Sequence, residues 1–61
     1  MNKLSIKTVK PLGIHGNVWT VTAELNSCTK FAKQIQAVSA VAARELFVAS
    51  ITAVLGQVEV V

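Results

Sequence analysis

The 61 residues contain one cysteine, Cys28, so no disulfide can form within the chain. Small secreted domains are usually dense in disulfides, and a lone thiol points to a reducing compartment, the cytoplasm. Histidine is as scarce: His15 stands alone, and the only acids are Glu24, Glu45 and Glu59. A metal site draws three or four ligands from such residues, and these are scattered along the chain. Nothing in the spacing sets Cys28 and His15 up as a nucleophile and base, or two glutamates as an acid–base pair. Gly13 and Gly16 bracket only Ile14 and His15, too little for a phosphate loop or a dinucleotide fingerprint. The expectation is a protein that is not an enzyme, with no metal and no cofactor.

Long membrane-compatible runs are also lacking. The N-terminus has no apolar stretch of signal-peptide length before Lys7 and Lys10, so no export signal is expected. The one candidate span, Ala37 to Leu55, carries Arg44 and Glu45 near its middle, each costing about 2.5–3.5 kcal/mol at a bilayer centre. A membrane role is therefore not expected.

What the chain does have is hydrophobicity: 52% of its residues are apolar and 15% charged. That is far from the composition of disordered chains. A domain of this size buries only about 60% of its unfolded surface, so one small core spanning residues 1–61 is expected. The net charge of +3 is mild. It permits an acidic or phosphate-bearing partner without demanding one.

Leu4, Ile6 and Thr8 alternate with Ser5, Lys7 and Val9, as in a strand. Pro11 to Asn17 holds two glycines and a proline and reads as a turn. Val18 to Leu25 is the clearest strand, with Trp19, Val21, Ala23 and Leu25 on one face and Val18, Thr20, Thr22 and Glu24 on the other. Trp19 reads as an anchor of the core, with a partner-facing hot spot as the alternative. Asn26 and Ser27 offer N-caps, and from Ser27 to Leu55 the pattern reads as one long helix. At 100° per residue, Phe31, Ile35, Val38, Ala42, Leu46, Ala49 and Ala53 share one stripe, assigned to the sheet. Lys30, Lys33 and Arg44 share another, a basic face pointing to water. Gly56 stops the helix, and Val58 to Val60 alternates as a last strand, placed parallel to the second one. The fold class is α+β, in the order β-β-α-β, with a small three-stranded sheet and one long helix packed on one face. The alternative is β-β-α-β-β, in which residues 46–55 form a strand; the many alanines favour helix.

A helix of about 27 residues would be roughly 40 Å long, against about 23 Å for a seven-residue strand. Its end should overhang the sheet and leave Phe47, Val48, Ile51, Val54 and Leu55 pointing away from it. Burying each is worth about 1.5–3 kcal/mol, so a partner should cover them, the alternative being that the helix bends and the loop Leu12-Gly13-Ile14 folds over the patch. The expected partner is a second copy of the chain, a dimer by preference. A strand edge, Val18 to Leu25 if it lies outermost, offers a second contact.

The order strand, strand, helix, strand, with Phe31-Ala32 and a terminal Val58-Glu59-Val60, resembles the small phage antitoxins of the Dmd type, which block a host RNase toxin. The resemblance implies a protein–protein inhibitor and assigns no site residues. Together these readings lead to a cytoplasmic, self-associating, non-enzymatic protein-binding module, an inhibitor of the phage or mobile-element kind with an unnamed protein target. The alternative is a small basic nucleic-acid-binding or regulatory protein that uses Lys30, Lys33, Arg44 and the basic first strand.

Overall fold

The structure, a computed structural model, describes residues 2–14 and 16–61. Its elements run β1 (Asn2–Pro11), β2 (Val18–Leu25), β3 (Thr29–Gln36), α1 (Ala40–Leu55) and β4 (Val58–Val60). The α+β class holds: one sheet carries one helix on one of its faces. The sheet has four strands, however, in the order β3-β2-β1-β4.

The additional strand is the first correction. Thr29–Gln36 is not the start of a long helix but the third strand of a meander, paired antiparallel with β2 along its whole length, from Leu25 opposite Thr29 to Val18 opposite Gln36. Asn26 and Ser27 do not cap a helix. They form the hairpin corner, with φ of 54° and 62°, and the Cys28 N–H donates to the Leu25 carbonyl at 3.2 Å. Asparagine enters this left-handed region more readily than most side chains do. Here it is also tied down: its Oδ1 accepts from the Lys3 N–H at 2.8 Å, and its own N–H donates to the Lys3 carbonyl at 2.7 Å.

Because β3 reverses the chain once more, the last strand changes direction relative to expectation. β4 lies parallel to β1, with Asn2 opposite Val58 and Leu4 opposite Val60, and not parallel to β2. The crossover from β3 through α1 to β4 passes over β2 and β1. Within β1 the register with β2 shifts between Ile6 and Thr8. This bulge at Lys7 brings Val9, not Thr8, onto the face of Leu4 and Ile6, where Val9 packs against the core. Thr8 lands on the opposite face, where its hydroxyl hydrogen-bonds that of Thr22.

The helix begins at Ser39, whose Oγ accepts from the Ala42 N–H at 3.1 Å. It ends where expected, at Gly56, which takes a φ of 87° and donates to the Thr52 carbonyl at 2.8 Å. Residues 46–55 are therefore helix, and the reading of this segment as a strand is overturned. With 16 residues the helix is about 24 Å long, close to the span of an eight-residue strand, so the expected long overhang does not arise.

Helix phase is the second correction. The core is Leu4, Val21, Ala23 and Phe47, with Ala43 also buried, and Ile6, Val9, Leu25, Phe31, Ile35, Val48, Ile51 and Val58 packed around it. Phe31 and Ile35 do reach the core, but from β3; Phe31 stacks on Phe47 with ring centroids 5.7 Å apart. Val38, Leu46 and the alanines at 49 and 53, assigned to the sheet, are exposed. Trp19 is half-buried, and its Nε1 donates to the Ala37 carbonyl at 3.1 Å, tying β2 to the connection that launches α1.

Candidate interaction surfaces

The five residues expected to await a partner divide. Phe47 is fully buried inside its own chain, and Val48 and Ile51 are half-buried against the same core. They are not free to form a docking surface, because α1 turns the Phe47 side toward the sheet. Val54 and Leu55 do remain outside, at 79% and 39% exposure.

The expected basic face also comes apart. Lys30 lies opposite Glu24 on the sheet face away from the helix. Lys33 lies opposite the buried Val21, on the helix side, and its Nζ donates to Ser50 Oγ at 3.4 Å. Arg44 is exposed on α1. The three share no face, because Lys30 and Lys33 are an odd number of strand positions apart and alternate across the sheet. Cys28 is a free, exposed thiol at the hairpin. His15, considered above for metal and nucleophilic chemistry, lies outside the described residues. Among those described, no three His, Cys, Asp or Glu side chains come together, and no helix is long and apolar enough to cross a membrane.

Three surfaces stand out instead. The first is the outer side of α1. Apart from Arg44, Glu45, Ser50 and Thr52, every residue from Ala40 to Leu55 is apolar. Only Ala43 and Phe47 are buried, while Val41, Leu46 and Val54 are 68%, 50% and 79% exposed. Val41 and Leu46 point to different sides of the axis, away from the one the sheet buries, whereas Val54 lies on the Phe47 side but in the last turn, past the buried core.

The second surface is the uncovered sheet face. Thr20, Thr22 and Thr8 lie side by side there with Lys10, Gln34 and Lys30 in neighbouring register positions. Ala32, opposite Thr22, is short enough to leave a shallow depression lined by Lys7, Thr22, Glu24 and Lys30. Its hydroxyl, ammonium and carboxylate groups suit polar contacts with a solvated partner. Lys7 belongs to this cluster through the β1 bulge, which the alternation of the first strand does not announce.

The third surface is the outer edge of β3. Six of its eight residues are exposed, and it is one of the two terminal strands of the sheet, the other being the three-residue β4. It replaces Val18–Leu25 as the edge, since β2 is enclosed between β3 and β1.

Comparison of the chain with protein-family models, curated proteins and solved structures gives no match.

Proposed function

We propose that this chain is a small, non-enzymatic protein-binding module that self-associates through the outer side of α1 and acts in the cytoplasm by occupying a target protein. The observation that carries this reading is the mismatch between the composition of α1 and its burial. A helix apolar nearly all round, interrupted only by Arg44, Glu45, Ser50 and Thr52, is typical of the interior of a larger assembly, yet here one side alone meets the sheet. The exposed Val41, Leu46 and Val54 side chains give up roughly 1–2 kcal/mol each while they face water. A second copy would cover them most economically, since a two-fold contact uses the same apolar surface twice. An inhibitor of the phage or mobile-element kind needs no catalytic group, only a surface of this type. The free thiol of Cys28 suits a reducing compartment.

Sedimentation over a concentration series tests the self-association. The expected outcome is a dimer at micromolar concentration that dissociates when Val41 and Leu46 are both changed to lysine, with the far-UV spectrum retained. A monomer at every concentration up to about 1 mM, where association would be worth only about 4 kcal/mol, would refute it.

A further inference from the structure

The β3 edge carries a more specific statement about the target. A sheet edge presents unpaired N–H and C=O groups to any extended chain, and proteins protect such edges by shortening, bulging, covering or charging them. The two edges of this sheet are treated differently. On the far side β4 is three residues long and covers only Asn2–Leu4 of β1; the rest of that edge is β1 itself, interrupted by the bulge at Lys7 and ending in Pro11. β3 is eight residues long and pairs with β2 in unbroken register, without a bulge. No proline interrupts it, and among the described residues no strand pairs with its outer side. Its only charged residues are Lys30 and Lys33.

Those two lysines select among partners. A second copy pairing edge to edge would bring four lysines and no carboxylate to one seam. Lys30 has Glu24 opposite it on the inner side, but its outer side is open, and Lys33 faces the uncharged Val21 and reaches only the neutral Ser50 hydroxyl, at 3.4 Å. The edge thus disfavours its own copies and favours a strand of opposite charge, which is specificity by repulsion as well as attraction.

We infer that β3 is an acceptor edge for an extended, acidic segment of a target protein, which adds to the sheet as a fifth strand with carboxylates beside Lys30 and Lys33. Lys30 projects on the open face and Lys33 on the helix side, so the matching carboxylates lie three residues apart in the partner, one on each face. Main-chain hydrogen bonds supply the affinity and the two charge pairs the selection. The inference rests on the protein-binding reading above but uses a different surface from the self-association.

The test uses the whole chain and a synthetic octapeptide of threonine and valine with two glutamates three residues apart, together with the same peptide carrying lysines instead and a version N-methylated on alternate amides. Amide exchange and chemical shifts read the site. The glutamate peptide is expected to protect amides within Thr29–Gln36 and to bind about tenfold more tightly than the lysine peptide at low salt. N-methylation should abolish binding. The double variant Lys30→Glu/Lys33→Glu, altered only at exposed positions, should reverse the preference while keeping its fold. Absence of binding, protection mapping to α1 or to the open sheet face, or a preference indifferent to the charge reversal would each overturn the inference. So would protection of β3 that rises with protein concentration in the absence of peptide, which would assign the edge to self-pairing. If the peptide fails while sedimentation shows the α1-dependent dimer, the edge assignment falls and the protein-binding reading survives; a chain that neither associates nor binds peptide loses both.

Discussion

Phe47 and Val54 lie seven residues apart on one side of α1, and their environments differ sharply. Phe47 has no exposed surface and stacks on Phe31 at 5.7 Å between centroids, whereas Val54 is 79% exposed. Replacing a buried phenylalanine by alanine removes its transfer free energy and leaves a cavity, together about 3–5 kcal/mol. The partner ring of Phe31 loses an aromatic contact worth about 0.5–1.5 kcal/mol, part of the same total. A chain of 61 residues has a global stability of roughly 3–9 kcal/mol at 0.05–0.15 kcal/mol per residue. Phe47→Ala should therefore leave the protein marginally folded or unfolded at 25 °C. Val54→Ala should change stability by less than about 0.5 kcal/mol, since it removes little buried surface. Urea titrations followed by Trp19 fluorescence and far-UV circular dichroism measure both, in dilute solution and across a concentration series, because association stabilises by mass action. A loss below about 1 kcal/mol for Phe47→Ala would mean that α1 sits on the sheet in another phase, and one above about 2 kcal/mol for Val54→Ala in dilute solution would mean that the last turn of α1 is packed and not exposed.

Asn26→Ala should destabilise by about 1–3 kcal/mol, since it places alanine at positive φ and deletes the bond from Lys3. Asn26→Gly should recover the conformational part alone, and the difference reads directly in Tm, at about 4–8 °C per kcal/mol for a domain of this size. Ser39→Ala removes the N-cap and should cost about 1 kcal/mol, with faster amide exchange confined to the first turn of α1; unchanged exchange there would place the start of the helix elsewhere.

The misreading of residues 27–36 has a definite physical origin. Asparagine and serine are good N-caps because their short polar side chains bond nearby backbone, and for that reason they also serve in turns. The pair Phe31 and Ile35 adds to the ambiguity: a separation of four returns to the same side in a helix and in a strand alike. Lys30 and Lys33 separate the two readings, since they are neighbours on a helix but opposed across a strand. Their positions therefore depended on β3 being recognised. Ser39 was hidden as a cap by the apolar residues on both sides of it, which let one helical pattern run through from Phe31 to Leu55.

Local chemistry alone determined several features of this protein. Val18–Leu25 alternates so regularly that one face had to be buried, Gly56 could take the positive φ that ends a helix at least cost, and the alanine-rich segment before it favoured helix over strand. The α+β class followed from these. Tertiary structure decided which side of α1 meets the sheet, that β4 runs parallel to β1, that a bulge at Lys7 exchanges Val9 for Thr8 on the core face, and that β3 is the open edge. The reason is that α1 is apolar nearly all round. A helix with a single stripe announces its own phase, but one with several acceptable faces takes its orientation from how the β3 connection, the Phe31–Phe47 stack and the crossover to β4 fit together.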